Sequence, residues 1–186
     1  MILLDLQDGI LDSRAKDQKA DYLSRVSTSI QRARAAGLHI IYVKTRFRPG
    51  HPDLSKRNQF LAPLASQGLF IEGDATVNIS QEVAPAEGDI VITKRRVSAF
   101  SGTDLETVLR SLEVNTLVLA GVATSGAVLS TMRQAADMDF ILTIVSDLCL
   151  DPDPEIHQIL IEKVFPRQGV VTTCREWLEK LAGGQS

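Results

Sequence analysis

Hydrophobic residues along the chain fall into short continuous runs, separated by longer segments of mixed polarity. The runs are rich in valine, isoleucine and leucine, a composition typical of strands that are buried on both faces of a parallel sheet. Five runs predict strands clearly and the last does so weakly: residues 2–6, 39–45, 90–94, 116–121, 141–146 and 170–172.

The segments between these runs carry apolar residues at steps of three and four, which is the period of a helix with one buried face. They predict helices over residues 19–36, 104–112, 127–137, 154–164 and 175–181. Because the strands and helices alternate, a helix can cross over the sheet between two parallel strands. The pattern predicts a three-layer α/β/α fold, Rossmann-like, with a mostly parallel sheet of about six strands.

Residues 46–89 break this rhythm. The segment is rich in proline, glycine and charged residues and shows no clear period. A connection of this length in a compact domain is usually functional or contains short helices that the pattern does not reveal. We expect it to form a roof over the active site.

The size and charge of the chain limit its partners. With 186 residues it is the size of one domain, and we expect residues 1–186 to form a single one. The net charge of −3 leaves no basic surplus to neutralise phosphates, so we expect no nucleic-acid partner. A small-molecule substrate is the expected partner.

The sequence also carries expectations about the compartment. Asp5 interrupts the apolar run at the amino terminus, and no apolar stretch is long enough to span a bilayer, so we expect a cytoplasmic protein with no membrane partner. Cys149 and Cys174 lack the spacing of a disulfide framework or a structural zinc site.

Chemistry is expected where the strands end, because open parallel sheets bind ligands at the carboxyl ends of their strands. Asp5 lies late in the first predicted strand, Lys94 closes the third, and a glycine-rich stretch at 121–127 follows the fourth. A carboxylate and an ammonium in one pocket can perform acid–base chemistry, because each alters the proton affinity of the other. They can equally form a structural ion pair, and their spacing does not decide between these two hypotheses.

The glycine-rich stretch lacks the features of a nucleotide-binding loop. No Lys-Ser or Lys-Thr follows Gly126, and no GxGxxG motif occurs in the chain, so we expect no nucleotide cofactor. Ser125 lies outside any GxSxG motif, which disfavours a role as nucleophile. We expect Ser125 to cap the start of the following helix.

Four segments resemble, in order and interval, the isochorismatase-like hydrolase superfamily, also known as the cysteine hydrolase family. They are the opening strand at 2–8, the lysine segment at 92–100, the turn at 121–124 and the Ser-Asp pair at 146–147. The resemblance covers nearly the whole chain and implies a catalytic Asp/Lys/Cys set, whose first two members match Asp5 and Lys94. The third member falls six residues after Gly121, where this chain has Ala127.

A methyl group at residue 127 cannot form a thioester, so the amidase mechanism of the family cannot operate here in its usual form. Three hypotheses follow from the resemblance. Members that hydrolyse the vinyl ether of isochorismate do not require the thiol, and in that case Asp5 delivers a proton while Lys94 orients the substrate. Alternatively, the chain is a noncatalytic binding homologue, or an amidohydrolase whose cysteine has been replaced by Ala127 through engineering. We favour the first.

The resemblance also implies binding residues around the turn. A cis peptide bond between Val122 and Ala123 is expected to direct backbone N–H groups toward the substrate, so Val122, Ala123 and Gly126 are candidate substrate-binding residues. Arg96 belongs to the lysine segment, and a guanidinium can hold a carboxylate through two hydrogen bonds. An anionic substrate is therefore expected.

Two further expectations concern the roof and the assembly. Metal-binding members carry several histidines at the site, whereas His51 is the single histidine of residues 46–89, so we expect no catalytic metal. Arg46 and Arg48 are expected to be surface charges or to pair with Asp53 and Glu72. The resemblance favours a homodimer or a homotetramer.

Overall fold

The computed structural model describes residues 1–14 and 18–183 and contains a six-stranded sheet. The order of the strands is β3-β2-β1-β4-β5-β6, and every neighbouring pair is parallel. This confirms the predicted parallel sheet. The strands are β1 (Ile2–Leu4), β2 (Ile41–Thr45), β3 (Ile90–Lys94), β4 (Thr116–Val122), β5 (Ile141–Leu150) and β6 (Val170–Thr172).

Helices cover both faces of this sheet. In chain order they are α1 (Asp8–Arg14), α2 (Lys19–Ala35), α3 (Ala62–Ser66), α4 (Leu105–Ser111), α5 (Leu129–Asp137), α6 (Pro154–Ile159) and α7 (Cys174–Gly183). A π-helical turn, Thr124–Val128, precedes α5, and another, Leu160–Val164, continues α6. No helix in the described ranges has the length and hydropathy needed to cross a membrane.

Alternation along the strands produces two separate hydrophobic layers, because successive side chains of a strand point to opposite faces. Leu4 packs in one layer with residues of α4 and α5, whereas Leu3 packs in the other with residues of α1, α2 and α7. Both leucines are at most 1% exposed. The sheet and the helices on its two faces therefore form three layers, as the sequence predicts.

Several boundaries differ from the prediction for physical reasons. β1 ends at Leu4 because Asp5 adopts a left-handed conformation with φ +54°, which turns the chain out of the strand. β5 continues to Leu150, four residues beyond the predicted end. Helix α1 was not predicted, since seven residues with few apolar positions give little periodic signal. Helical structure before α5 begins at Thr124, three residues earlier than expected.

The roof segment at 46–89 contains α3 and two short 3₁₀ helices, Ala75–Val77 and Gln81–Val83. Phe47, Phe70 and Val77 form a small apolar core of its own. The Phe47 N–H donates to the Phe70 carbonyl at 2.8 Å, which connects the start of the segment to its middle. The expectation of short helices hidden from the sequence pattern is thus confirmed.

Candidate active site

A cavity of about 580 Å³ opens at the carboxyl ends of the central strands, within the size range of small-molecule sites. The floor comes from the strand ends and from the turn after β4, one wall from α1, and the cover from the roof segment. The lining residues are Asp5, Gly9, Ile10, Ser13, Thr45, Phe60, Leu61, Pro63, Leu64, Gln67, Leu69, Phe70, Lys94, Val97, Val122, Ala123, Gly126, Ala127 and Pro152. Seven of them belong to residues 46–89, so the segment does cover this cavity.

Asp5 and Lys94 meet on the cavity floor. Asp5 directly follows β1, Lys94 is the last residue of β3, and β2 lies between these strands. The Lys94 Nζ lies 2.8 Å from Asp5 Oδ2, and the two side chains are only 4% and 6% exposed. The sequence expectation that these distant residues share a pocket is confirmed by this geometry.

Thr45 completes the pair, and the sequence analysis missed it. Its hydroxyl donates to Asp5 Oδ1 at 3.0 Å and accepts from Lys94 Nζ at 2.8 Å. Thr45 is the last residue of β2, so the carboxyl-end rule that identified Lys94 would also have found Thr45. The three residues form one buried set, joined by one ion pair and two hydrogen bonds.

Gln7 fixes the main chain of Thr45. Its Oε1 accepts from the Thr45 N–H at 2.7 Å, and its Nε2 donates to the Thr45 carbonyl at 2.9 Å. The same Nε2 donates to the Val77 carbonyl of the roof at 3.1 Å. Because Gln7 is fully buried, these bonds are shielded from competition by water, and they connect the roof to the cavity floor beside Asp5 and Lys94.

The turn after β4 forms the part of the floor beside the ion pair. Gly121 has φ +136°, and a Cβ there would lie 2.1 Å from the Leu4 carbonyl oxygen, so β1 can approach only a glycine. The Val122–Ala123 peptide bond is cis. Val122, Ala123, Gly126 and Ala127 all line the cavity, so the structure brings these candidate residues together with Asp5 and Lys94.

The side chains of His157 and Asp151 form hydrogen bonds with the residues that follow this turn. The Thr124 hydroxyl lies 2.8 Å from His157 Nδ1, and burial lowers the pKa of His157. Asp151 Oδ2 accepts from the Ser125 N–H at 2.7 Å. The expected capping role of the Ser125 side chain is therefore wrong: the carboxylate that binds the free N–H at this helix start comes from residue 151.

Arg96 does not join the cavity residues. Its guanidinium donates to the Asp53 carbonyl at 2.9 Å, on an exposed part of the roof. Arg46 Nη1 lies 2.9 Å from Glu72 Oε1, and Arg48 Nη1 lies 3.2 Å from Asp53 Oδ2. Both pairings expected from the sequence are therefore confirmed. These three arginines are therefore held by groups of the roof segment.

The described residues do not contain a group of three or more His, Cys, Asp or Glu side chains with the arrangement of a metal site. His51, the roof histidine, places its Nε2 3.3 Å from the Leu69 carbonyl oxygen. The chemistry available on the cavity floor is that of the carboxylate, ammonium and hydroxyl of Asp5, Lys94 and Thr45.

Comparison with known proteins gives consistent results. The family model for the isochorismatase domain matches residues 1–176. The uncharacterized isochorismatase family protein YecD of Escherichia coli O157:H7 is 30% identical over 182 residues, which cover 97% of this chain and 95% of YecD.

Solved structures share the fold. A cysteine hydrolase from Pseudomonas syringae pv. phaseolicola 1448A superposes with a TM-score of 0.88 at 25% identity, covering 98% of this chain and 91% of its own. The N-carbamoylsarcosine amidase from Thermoplasma acidophilum superposes with a TM-score of 0.76 at 23% identity, covering 93% and 94%, which shows the common fold alone.

The parallel sheet, the cavity at its carboxyl edge and these matches define a hydrolase with a three-layer α/β/α fold. The chain belongs to the isochorismatase family of hydrolases.

Proposed function

We propose that this protein hydrolyses an enol ether by acid catalysis, without a covalent intermediate. The observation that carries the proposal is a buried Asp5–Lys94 ion pair facing a cavity in which Ala127 presents only a methyl group. Enol-ether hydrolysis needs a proton donor and water but no protein nucleophile, and these residues can supply the proton.

The hydroxyl groups of the lining are poor substitutes for a thiol. The Thr45 hydroxyl donates a hydrogen bond to Asp5, as a nucleophile does to its general base. Its oxygen also accepts a hydrogen bond from the Lys94 ammonium, which withdraws electron density from the oxygen lone pairs. Ser13 donates to the carbonyls of Gly9 and Ile10 at 3.0 Å, within its own helix. An acyl-enzyme route through either hydroxyl is therefore disfavoured.

The charges of the pair suit the proposed reaction. At rest, Asp5 and Lys94 carry opposite charges and sum to zero. A proton passes from Lys94 to Asp5 and from Asp5 to the terminal carbon of the enol ether, which leaves the pair with one negative charge beside the oxocarbenium ion. Attraction between these opposite charges in a buried site stabilises the cation.

Water then closes the cycle. It adds to the oxocarbenium carbon, and the proton that it loses returns to the pair. The resulting hemiacetal or hemiketal breaks its bond to the leaving oxygen and gives an alcohol and a carbonyl compound. The net reaction consumes one enol ether and one water, and Asp5 and Lys94 regain their original protonation.

The test measures three products separately. Purified protein is incubated with phenyl vinyl ether, with isochorismate and with benzamide, and the release of acetaldehyde, pyruvate and ammonia is followed. We expect carbonyl product from an enol ether and no ammonia. Ammonia release, or no product from any enol ether, would contradict the proposal; in the second case a noncatalytic binding role would gain.

Variants assign the activity to the site. Asp5→Asn should abolish turnover, because an amide of the same size cannot deliver the proton, and Lys94→Met should lower it strongly. Asp12→Asn is the matched control: Asp12 is an exposed carboxylate that also pairs with a lysine, Lys19, at 2.7 Å. Full activity of Asp5→Asn in a folded protein would exclude Asp5 as the acid.

A further inference from the structure

We infer that the cavity selects an uncharged substrate with a largely apolar body, because Lys94 is already paired with Asp5 and because Arg48, Arg95 and Arg96 are paired outside the cavity. The inference deepens the proposed function by naming the class of substrate. It concerns binding as such, so it can be tested without turnover.

Lys94 is the single cationic side chain among the cavity residues that the structure describes. An ammonium group has three N–H donors. Here it donates to Thr45 Oγ1 at 2.8 Å and to the Arg96 carbonyl at 3.3 Å, and it forms an ion pair with Asp5 Oδ2 at 2.8 Å. A substrate carboxylate that binds Lys94 must therefore compete with these protein partners for the ammonium.

Three nearby arginines do not offer a substrate carboxylate an alternative partner to Lys94. Arg95 Nε lies 2.6 Å from the Asp53 carboxylate, which also receives Arg48, and Arg96 donates to the Asp53 main chain. Asp53 thus binds three arginines at the surface of the roof, and none of the three is among the residues that line the cavity. The Asp53 carboxylate is 11% exposed, so these contacts are partly shielded from water.

Most of the remaining lining is apolar. Aliphatic, aromatic and proline side chains make up the walls and cover: Ile10, Phe60, Leu61, Pro63, Leu64, Leu69, Phe70, Val97, Val122, Ala123, Ala127 and Pro152. An anion that leaves water for this site loses hydration without gaining an unpaired cation from the described lining residues, whereas an uncharged apolar body gains from the same transfer. The sequence motif led us to expect an anionic substrate; the side-chain partners favour an uncharged one.

Two unreactive aryl methyl ethers, one uncharged and one anionic, provide the test. Anisole is uncharged, and 4-methoxybenzoate differs from it by one carboxylate that is ionised at pH 7.5. Isothermal titration calorimetry should show anisole binding at least tenfold more tightly. Ala127→Phe, which fills the cavity floor, should abolish anisole binding and so locate it.

A charge added to the lining should change this preference. Gln67 is an exposed residue at the cavity edge, so Gln67→Arg introduces a guanidinium with no assigned partner, and Gln67→Met is its uncharged control. We expect Gln67→Arg to reduce the preference for anisole at least fivefold and Gln67→Met to retain it.

The outcomes separate this inference from the proposed function. Equal or tighter binding of 4-methoxybenzoate by the unmodified protein, or binding of neither ether, would overturn the inference whatever the enzyme assays show. A tenfold preference for anisole, abolished by Ala127→Phe, would support it even if no enol ether were hydrolysed.

Discussion

Gln7→Met tests how strongly one buried amide supports the site. Methionine has nearly the same length and shape as glutamine but forms no strong hydrogen bonds. The change removes three bonds and leaves the Thr45 N–H, the Thr45 carbonyl and the Val77 carbonyl without their partner. Gln7 is fully buried, so water cannot replace the lost amide without local opening of the roof.

The expected cost follows from these three groups. A buried polar group left without a partner costs roughly 1–3 kcal/mol. Three groups at the lower end give about 3 kcal/mol, and the more apolar methionine offsets part of any larger cost. We expect the free energy of unfolding to fall by about 3–5 kcal/mol, a large share of the roughly 5–15 kcal/mol that stabilises a typical domain.

Urea denaturation followed by fluorescence measures this loss, because Trp177 is the single tryptophan and is 7% exposed in the folded state. Gln31→Met, at an exposed position of α2, is the matched control and should change stability by less than about 0.5 kcal/mol. A loss below about 1 kcal/mol for Gln7→Met would show that the buried amide is not needed to hold Thr45.

Three other predictions concern the turn and the buried titratable groups. Ala127→Cys should lower enol-ether hydrolysis without creating amidase activity, since the sulfur occupies cavity space; robust ammonia release by this variant would favour a degenerate amidohydrolase instead. The lowered pKa of His157 means that the folded protein binds fewer protons than the unfolded chain, so stability is lost as pH falls below about 6.5 through the folded pKa. His157→Gln should flatten this loss between pH 7 and pH 5 in urea titrations, and an unchanged pH dependence would refute the assignment. Burial raises the pKa of Cys149 to about 12, so iodoacetamide at pH 8 should leave Cys149 unmodified in the native protein and alkylate it in urea, as mass spectrometry of the peptides can show.

Local pattern was sufficient to predict the layers of this fold. Continuous apolar runs specify strands buried on both faces, and the three- and four-residue steps specify the covering helices, because both signals arise from neighbours along the chain. The same strand ends identified Asp5 and Lys94 as candidates, and the resemblance of four segments to a family drew attention to Ala127. These features depend on short stretches of sequence read in order.

Tertiary structure decided which polar groups meet. Gln7 and Thr45 are 38 residues apart, and the amide finds its partners only because β1 and β2 are neighbours in the sheet. Ser125 was expected to cap its own helix, yet Asp151, 26 residues away, accepts from its N–H. Arg96 lies only two residues after Lys94 in the sequence, but its guanidinium binds the Asp53 carbonyl of the roof. Hydrophobic period fixes which face of an element is buried, whereas a side chain's hydrogen-bond partners depend on elements that only folding brings into reach.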